Sequence, residues 1–361
     1  MKLLGLFGWL LGLAVGTLPA VAQETAVSPL VPAIGNVDLT PTDLMDQSRG
    51  SQSLAVPAEL DRLLFYGGIP KNLETLRIME TQIRRVSAIA TECTVSVQIG
   101  PAQGCGAIIT ASGYVLTAAH VAMRPGKTAN LTLSDGRVIR ATSLGLDRRF
   151  DAGLLKIDPG QGSNWPHAAL GSSEGLVPGM WCIATGHPGG YEPTRGPVVR
   201  VGRILESRPG SLLTDCALIG GDSGGPLFDL AGELIAIHSR IGNDVAENLH
   251  VPIDIYEDSW QRMAQGDAWG YLPGFRPVLG VRGRNSDDSA IVVSVRRGSP
   301  ADKAGIVPGD VIERFGDKPV KDFRTLRSAV ADTMPGERVD LWLRRDGQAR
   351  RIRLEIGRAD D

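Results

Sequence analysis

The chain has 361 residues, a formal net charge of −2, 42% hydrophobic residues and four cysteines. That length exceeds one ordinary domain and sets an expectation of two. A near-neutral charge supplies no field to gather nucleic acid or an anionic membrane, and Cys93, Cys105, Cys182 and Cys216 lack CxxC spacing or a His/Cys cluster, so neither nucleic acid, metal nor other cofactor is expected.

Met1 to Ala22 carry Lys2, an apolar run from Leu3 to Leu18 and the small-residue ending Ala20-Val21-Ala22. This is the pattern of a secretory signal cut before Gln23, and the run is short of the roughly 20 residues that span a bilayer. The expectation is a periplasmic or secreted protein with no stable membrane span after cleavage. Residues 23–71, rich in Pro, Ser, Thr and Ala, read as an N-terminal arm or linker. From Asn72 to Ala90, the residues Leu73, Leu76, Met79, Ile83, Val86 and Ala90 recur every three to four positions, which predicts an amphipathic helix leading into a strand at Thr94 to Ile99.

Short strand candidates follow in two sets. The first is Gly106–Thr110, Gly113–Thr117, Asn130–Leu133, Val138–Thr142 and Leu154–Ile157. The second is Trp181–Thr185, Val198–Ile204, Leu212–Thr214, Pro226–Phe228, Leu234–His238 and Asn248–Pro252. Many short strands with Gly/Pro turns predict an all-β barrel or sandwich over residues 72–265, and two such sets fit a double β-barrel. A linker at 266–275 precedes a different pattern at 276–358. There Ser299-Pro300-Ala301-Asp302-Lys303-Ala304-Gly305 is a compact helix with serine as N-cap, proline in the first turn and glycine past its end. A turn and strand at Ile306–Ile312, a helix over Phe323–Val330 and strands at Val339–Leu343 and Ile352–Ile356 complete a small α+β domain.

The chemistry concentrates in Gly220-Gly221-Asp222-Ser223-Gly224-Gly225-Pro226, where glycines leave room for a substrate beside one serine. A serine hydroxyl is a weak nucleophile until a base takes its proton, and an imidazole serves best when a third group orients it. His120, in Leu116-Thr117-Ala118-Ala119-His120-Val121, and Asp151, opening the apolar run Ala152 to Ile157, supply those groups. Asp147 is a rival acid, but it precedes the charged turn Arg148-Arg149. His167, His187, His238 and His250 lack such a context and read as core or surface residues.

The segments T-A-A-H, D-A-G-L-L-K-I and G-D-S-G-G-P, in that order, resemble trypsin-like serine proteases. The motifs S-P-A-x-x-A-G and P-G-D-V-I resemble a bacterial PDZ domain. Together with the signal pattern they make the chain similar to the HtrA/Deg family of periplasmic serine endopeptidases over about residues 80–358. The resemblance implies an all-β chymotrypsin-like double β-barrel followed by a small α+β PDZ domain. It also implies hydrolysis of unfolded or damaged polypeptides by a Ser-His-Asp acyl-enzyme mechanism, with an oxyanion hole from the N–H groups of Gly221 and Ser223.

Further expectations come with the resemblance. Ala217, Leu218 and Ile219, with Ser239, Arg240 and Ile241, would form the specificity pocket. None is acidic, so cleavage after small or medium apolar residues is expected. Val278-Leu279-Gly280-Val281 would be the PDZ loop that captures peptide C-termini by strand addition. A homotrimer or a multiple of it is implied as the assembly. Cys182 and Cys216, placed in one barrel, are the expected disulfide, while Cys105 lacks its customary partner. HtrA enzymes usually have asparagine where this chain has Asp222; buried, that carboxylate needs a cation, with Arg195 or Arg240 the expected source. The alternative function is a PDZ-centred binding or chaperone protein with latent proteolysis. An esterase using the same triad would need the strand-to-helix context of the G-x-S-x-G nucleophile elbow, which the strand-rich surroundings of Ser223 lack.

Overall fold

The computed structural model describes residues 53–242, 244–272, 274–284 and 288–359. The expected signal peptide and most of the expected arm lie outside the described residues. The last part of that arm is helical. A 3₁₀ turn at Ala58–Leu60 runs into α1 (Asp61–Tyr66), and Leu60, Leu63 and Leu64 are buried. Their i, i+3, i+4 spacing makes one apolar face, from which Leu60 and Leu63 pack with Met79 of the next helix while Leu64 joins the main core.

That helix, α2 (Leu73–Cys93), starts where the Asn72 side chain accepts the Thr75 N–H. Its buried residues Met79, Gln82, Val86, Ala90 and Cys93 share one face, and Gln82 Nε2 donates to the Leu230 carbonyl at 2.7 Å. The first barrel follows: β1 (Thr94–Ile99), β2 (Ala102–Ile108), β3 (Tyr114–Ala118), the one-turn helix α3 (Ala119–Ala122), β4 (Thr128–Thr132), β5 (Val138–Asp147) and β6 (Ala152–Ile157). Its antiparallel order β5-β4-β1-β2-β3-β6 is closed by pairing of β5 with β6. Val95, Val97, Ile108, Val115, Leu131 and Leu155 fill its interior.

The second barrel comprises the short edge strand β7 (Ala169–Leu170), then β8 (Trp181–Gly186), β9 (Val198–Arg208), β10 (Ser211–Thr214), β11 (Pro226–Phe228), β12 (Glu233–Ile241) and β13 (Asn248–Pro252). The order β11-β8-β9-β10-β13-β12 closes through β11 and β12, and β7 adds in parallel to β12. Closure leaves neither six-stranded ring a free edge. The domain is therefore a chymotrypsin-like double β-barrel.

The helix α4 (Ile253–Ala264) was not expected; it is followed by β14 (Ala268–Trp269), which extends the first barrel beside β5. Ile253, Tyr256, Trp260, Met263 and Ala264 are its buried face. Trp260 meets Tyr114 edge-on at 5.0 Å, and Tyr256 Oη donates to the Thr117 carbonyl at 2.7 Å. The helix thus ties the second barrel's last strand to the first barrel next to α3.

The C-terminal domain contains β15 (Pro277–Val278), β16 (Val281–Arg282), β17 (Ala290–Ile291), β18 (Ser294–Val295), α5 (Pro300–Lys303), β19 (Val311–Phe315), β20 (Lys318–Pro319), α6 (Phe323–Ala331), β21 (Arg338–Arg345), β22 (Gln348–Glu355) and β23 (Gly357–Arg358). Ser299 caps α5, and Asp322 with Thr325 forms a capping box on α6. Leu279, Ile306, Ile312, Phe315, Leu326 and Leu341 form a core of their own.

Candidate functional site

The two barrels bring His120, Asp151 and Ser223 from separate elements to one cleft. His120 stands on α3, whose first residue is anchored by the Ala119 N–H donating to the Asp151 carbonyl at 2.9 Å. Asp151 occupies the turn between β5 and β6 at φ +68°, a left-handed conformation that aspartate tolerates better than most residues. The residue is 2% exposed. It accepts His120 Nδ1 at 2.9 Å, the His120 backbone N–H at 3.0 Å and Ser239 Oγ at 2.6 Å. Nδ1 is therefore the protonated nitrogen of a neutral imidazole, leaving Nε2 as the base. Burial pushes the His120 pKa down, but the hydrogen bond and charge of Asp151 outweigh it and the net displacement is upward; the nearby Arg240 charge opposes them.

Asp147 does something else. Fully buried, it receives Arg149 Nη2 at 2.7 Å and Ser259 Oγ at 3.2 Å. It fixes the β5 end to its own turn and to α4.

Ser223 lies in the loop before β11. Its hydroxyl donates to the Ser239 carbonyl at 3.4 Å rather than to His120, and its own carbonyl accepts the Cys105 N–H at 2.7 Å. The preceding turn is held on several sides. The Gly220 carbonyl accepts the Gly189 N–H at 2.7 Å, and the Gly221 carbonyl accepts the Cys105 thiol at 3.1 Å. Gly221 sits at φ +101°, and a Cβ there would stand 2.5 Å from the His187 carbonyl, so both conformation and space require glycine.

Asp222 is buried and carries a cation partner, but neither of the two expected. Arg195 Nη2 donates to the Pro188 carbonyl, and Arg240 is exposed on the cleft rim. The partner is Arg200 of β9, with Nη2 2.9 Å from Oδ2 and Nη1 3.4 Å from Oδ1. Arg200 is brought in by the pairing of β9 with β8, a long-range register no motif records. Burial still leaves the Asp222 carboxyl above its ordinary pKa, the Ile219 N–H and Arg200 offsetting only part.

Of the expected pocket residues, Ser239 reaches both Asp151 and Ser223, a bridging role that the motif reading did not assign. Leu218 is turned inside, while Ile219 and Ile241 are exposed and Ala217 is half-buried. A cleft lined by Arg149, Phe150, Gly210, Ser211, Ser239 and Arg240 opens beside the triad. A larger apolar groove, over Leu76, Met79, Ile83, Trp181 and Val201, lies on α2 away from it.

The disulfide expected between Cys182 and Cys216 is not formed. Their sulfurs are 3.7 Å apart, against about 2.05 Å for a bond, and all four cysteines are buried free thiols. His238 and His250 are buried, joined Nδ1 to Nδ1 at 3.0 Å, and burial lowers the pKa of both. His187 is buried against Tyr191 with its pKa lowered to about 4 by burial.

In the C-terminal domain, Leu279 is core. Its carbonyl accepts the Ala301 N–H, and the Gly280 carbonyl accepts the Arg296 N–H. Gly280, at φ +88°, has no room for a Cβ against Ser299. Val278 and Val281 begin and end this tight loop, which sits on the start of α5. Among the described residues no group of three or more His, Cys, Asp or Glu is placed to hold a metal, and no helix is long and apolar enough to cross a membrane.

Comparison with known proteins agrees with this architecture. Residues 104–237 match the family described as "Trypsin-like peptidase domain", and residues 277–356 match "PDZ domain". A protein of Rhizobium meliloti named "Probable periplasmic serine endoprotease DegP-like" is 32% identical over 271 residues, which cover 71% of this chain and 53% of the relative. A protein of the same name from Hahella chejuensis is 34% identical over 278 residues, 72% of this chain and 58% of the relative. The chain thus spans little more than half the length of these relatives. Among solved structures, the HtrA-type protease AlgW with a decapeptide shares 26% identity at a TM-score of 0.43, covering 76% of this chain and 98% of that one. A serine endoprotease from Yersinia pestis shares 25% identity at a TM-score of 0.44, covering 81% and 100%.

Proposed function

The chain is HtrA/Deg-like, a trypsin-like peptidase domain followed by a PDZ domain, and from that premise we propose that it is an exported serine endopeptidase acting on unfolded or damaged polypeptides. The observation that carries the reading is the buried Asp151 carboxylate holding His120 by Nδ1 at 2.9 Å across the cleft from a glycine-flanked serine. Export draws support from the signal pattern at residues 1–22 and from relatives named as periplasmic.

Ser223 Oγ attacks the peptide carbonyl while His120 Nε2 takes its proton. The new O–C bond converts the carbonyl to an oxyanion facing the N–H groups of Gly221 and Ser223. Collapse expels the amine, which takes the proton from His120, and leaves an acyl-enzyme. Water attacks next with His120 again as base. The acyl C–Oγ bond breaks, and the proton returns to Ser223. Asp151 keeps the imidazole in one tautomer and balances its transient charge. No acid lies among Ala217, Leu218 and Ile219, which supports cleavage after Val, Ala or Leu.

The PDZ domain would take peptide C-termini at Val278–Val281, beside β16 and α6. The exposed apolar residues Phe65, Tyr66, Ile69, Leu73 and Leu76 at the N-terminal end support self-association there, in a homotrimer or a multiple of it. The test is a cleavage-site survey on an unfolded protein, with and without a peptide that fills the PDZ groove. Cuts after small or medium apolar residues, lost in S223A, support the proposal. Cuts mainly after Lys or Arg overturn the pocket reading. Peptide binding without any cleavage favours a binding protein with latent proteolysis.

A further inference from the structure

Asp222 is the ionisable residue of the nucleophile loop that the triad chemistry does not use, and it is 1% exposed. An unpaired carboxylate in such a place is strongly disfavoured, so its partner must be present whenever the loop is folded. Arg200 meets that need from inside a barrel strand: it faces Ala184 of β8 in register, and its side chain is 17% exposed. β8 makes the room, because a Cβ at Gly186 would stand 2.5 Å from Asp222 Oδ1.

The same carboxylate accepts the Ile219 N–H at 3.0 Å, and the Asp222 N–H returns to the Ile219 carbonyl at 3.1 Å. The turn is clamped on itself and, through Arg200, on β9. Its carbonyls are directed to the barrel, Gly220 onto the Gly189 N–H and Gly221 onto the Cys105 thiol. In a trans peptide the N–H points opposite to the preceding carbonyl, so the Gly221 N–H is directed away from Gly189. Among the described residues neither it nor the Ser223 N–H has a hydrogen-bond acceptor.

The geometry points to Arg200 as a positioning residue for the oxyanion hole: paired with Asp222, it holds the loop so that the Gly221 and Ser223 N–H groups stay open to the substrate carbonyl. The cation is built into β9, so the loop requires no cleavage of the chain to create one. The inference rests on the peptidase reading above.

The test compares the full chain with R200M, R200K, D222N and the neutral pair R200M/D222N, all bearing an uncleaved N-terminal tag. It reads kcat and KM on a fluorogenic peptide with Val before the scissile bond, the labelling rate of Ser223 by a fluorophosphonate, and near-UV circular dichroism for folding. R200M is expected to lower kcat and the labelling rate about a hundredfold, the scale of one lost oxyanion donor, with KM changed by less than about threefold. R200K should regain a large part of that loss. The neutral pair, free of an unpaired buried charge, should be more active than R200M and less active than the parent. A folded R200M with the parent's kcat overturns the proposal, as does a loss confined to KM. Should R200M fail to fold, the neutral pair decides: folded with reduced kcat supports the assignment, and parent-level kcat overturns it. A parent that neither cleaves nor is labelled overturns the peptidase reading and this proposal with it; an active parent with an unaffected R200M overturns this proposal alone.

Discussion

Asp151 and Asp222 are buried aspartates on opposite sides of one cleft, and the protein stabilises them by different means. Asp151, on the first barrel, is held by hydrogen bonds from the His120 backbone, the His120 ring and Ser239, and among the described residues no arginine pairs with its carboxylate. Asp222, on the second, is held by Arg200 and the Ile219 N–H. The difference follows from their duties. A triad acid must answer a charge that comes and goes on His120, and a permanent cation beside it would compete with the imidazolium. A loop acid takes no part in proton transfer, so a fixed cation serves it better.

Substitutions on the two sides should therefore separate activity from stability. The largest effect on activity is expected from D151N, which leaves the geometry but spoils the tautomer, at about 10⁴-fold in kcat with little change in the urea midpoint. R200M should do the reverse in emphasis. Its loss of kcat is smaller, while removing one partner of a buried pair costs about 3–5 kcal/mol, read as a lower urea midpoint at constant slope. If D151N proves the more destabilising of the two, the contrast fails. G186A, which puts a methyl against Asp222, should reproduce the R200M pattern more weakly, at about 1–3 kcal/mol.

Much of this contrast was legible in the chain, but not all of it. Local motifs marked His120, Asp151 and Ser223 because each stands in a short segment whose residues also make the supporting turn. The strand starting at Thr94 follows directly from a helix whose apolar spacing runs out there. Arg200 was missed because its meaning depends on β8–β9 register, and an arginine within Val198-Val199-Arg200-Val201 reads locally as the polar face of a half-exposed strand. Ser239 was placed beside substrate by motif, yet its hydroxyl turns back to Asp151. The helix α4 carries an i, i+3, i+7 stripe in Ile253, Tyr256 and Trp260, which follows a strand with no Gly or Asn break to mark the change of period.

Smaller effects sharpen the first-barrel side. S239A removes a hydrogen bond to a charged acceptor, about 1.5–3 kcal/mol, and should lower kcat by roughly ten- to a hundredfold. R240Q should change least. The Arg240 charge lowers the His120 pKa, so its removal moves the acid limb of kcat/KM to higher pH, measured on a neutral peptide. The parent's own acid limb should lie above about 6.5, the ordinary imidazole value. Because the folded-state pKa of His120 is raised, its contribution to stability is fully present below that ordinary value and is lost as pH rises through the folded one.

The most direct test of the account is fluorophosphonate labelling of the tagged, unprocessed chain, followed by mass mapping of the adduct. One adduct is expected, on Ser223, lost in H120A and slowed in R200M. No adduct, or an adduct on another serine with Ser223 untouched, would contradict it.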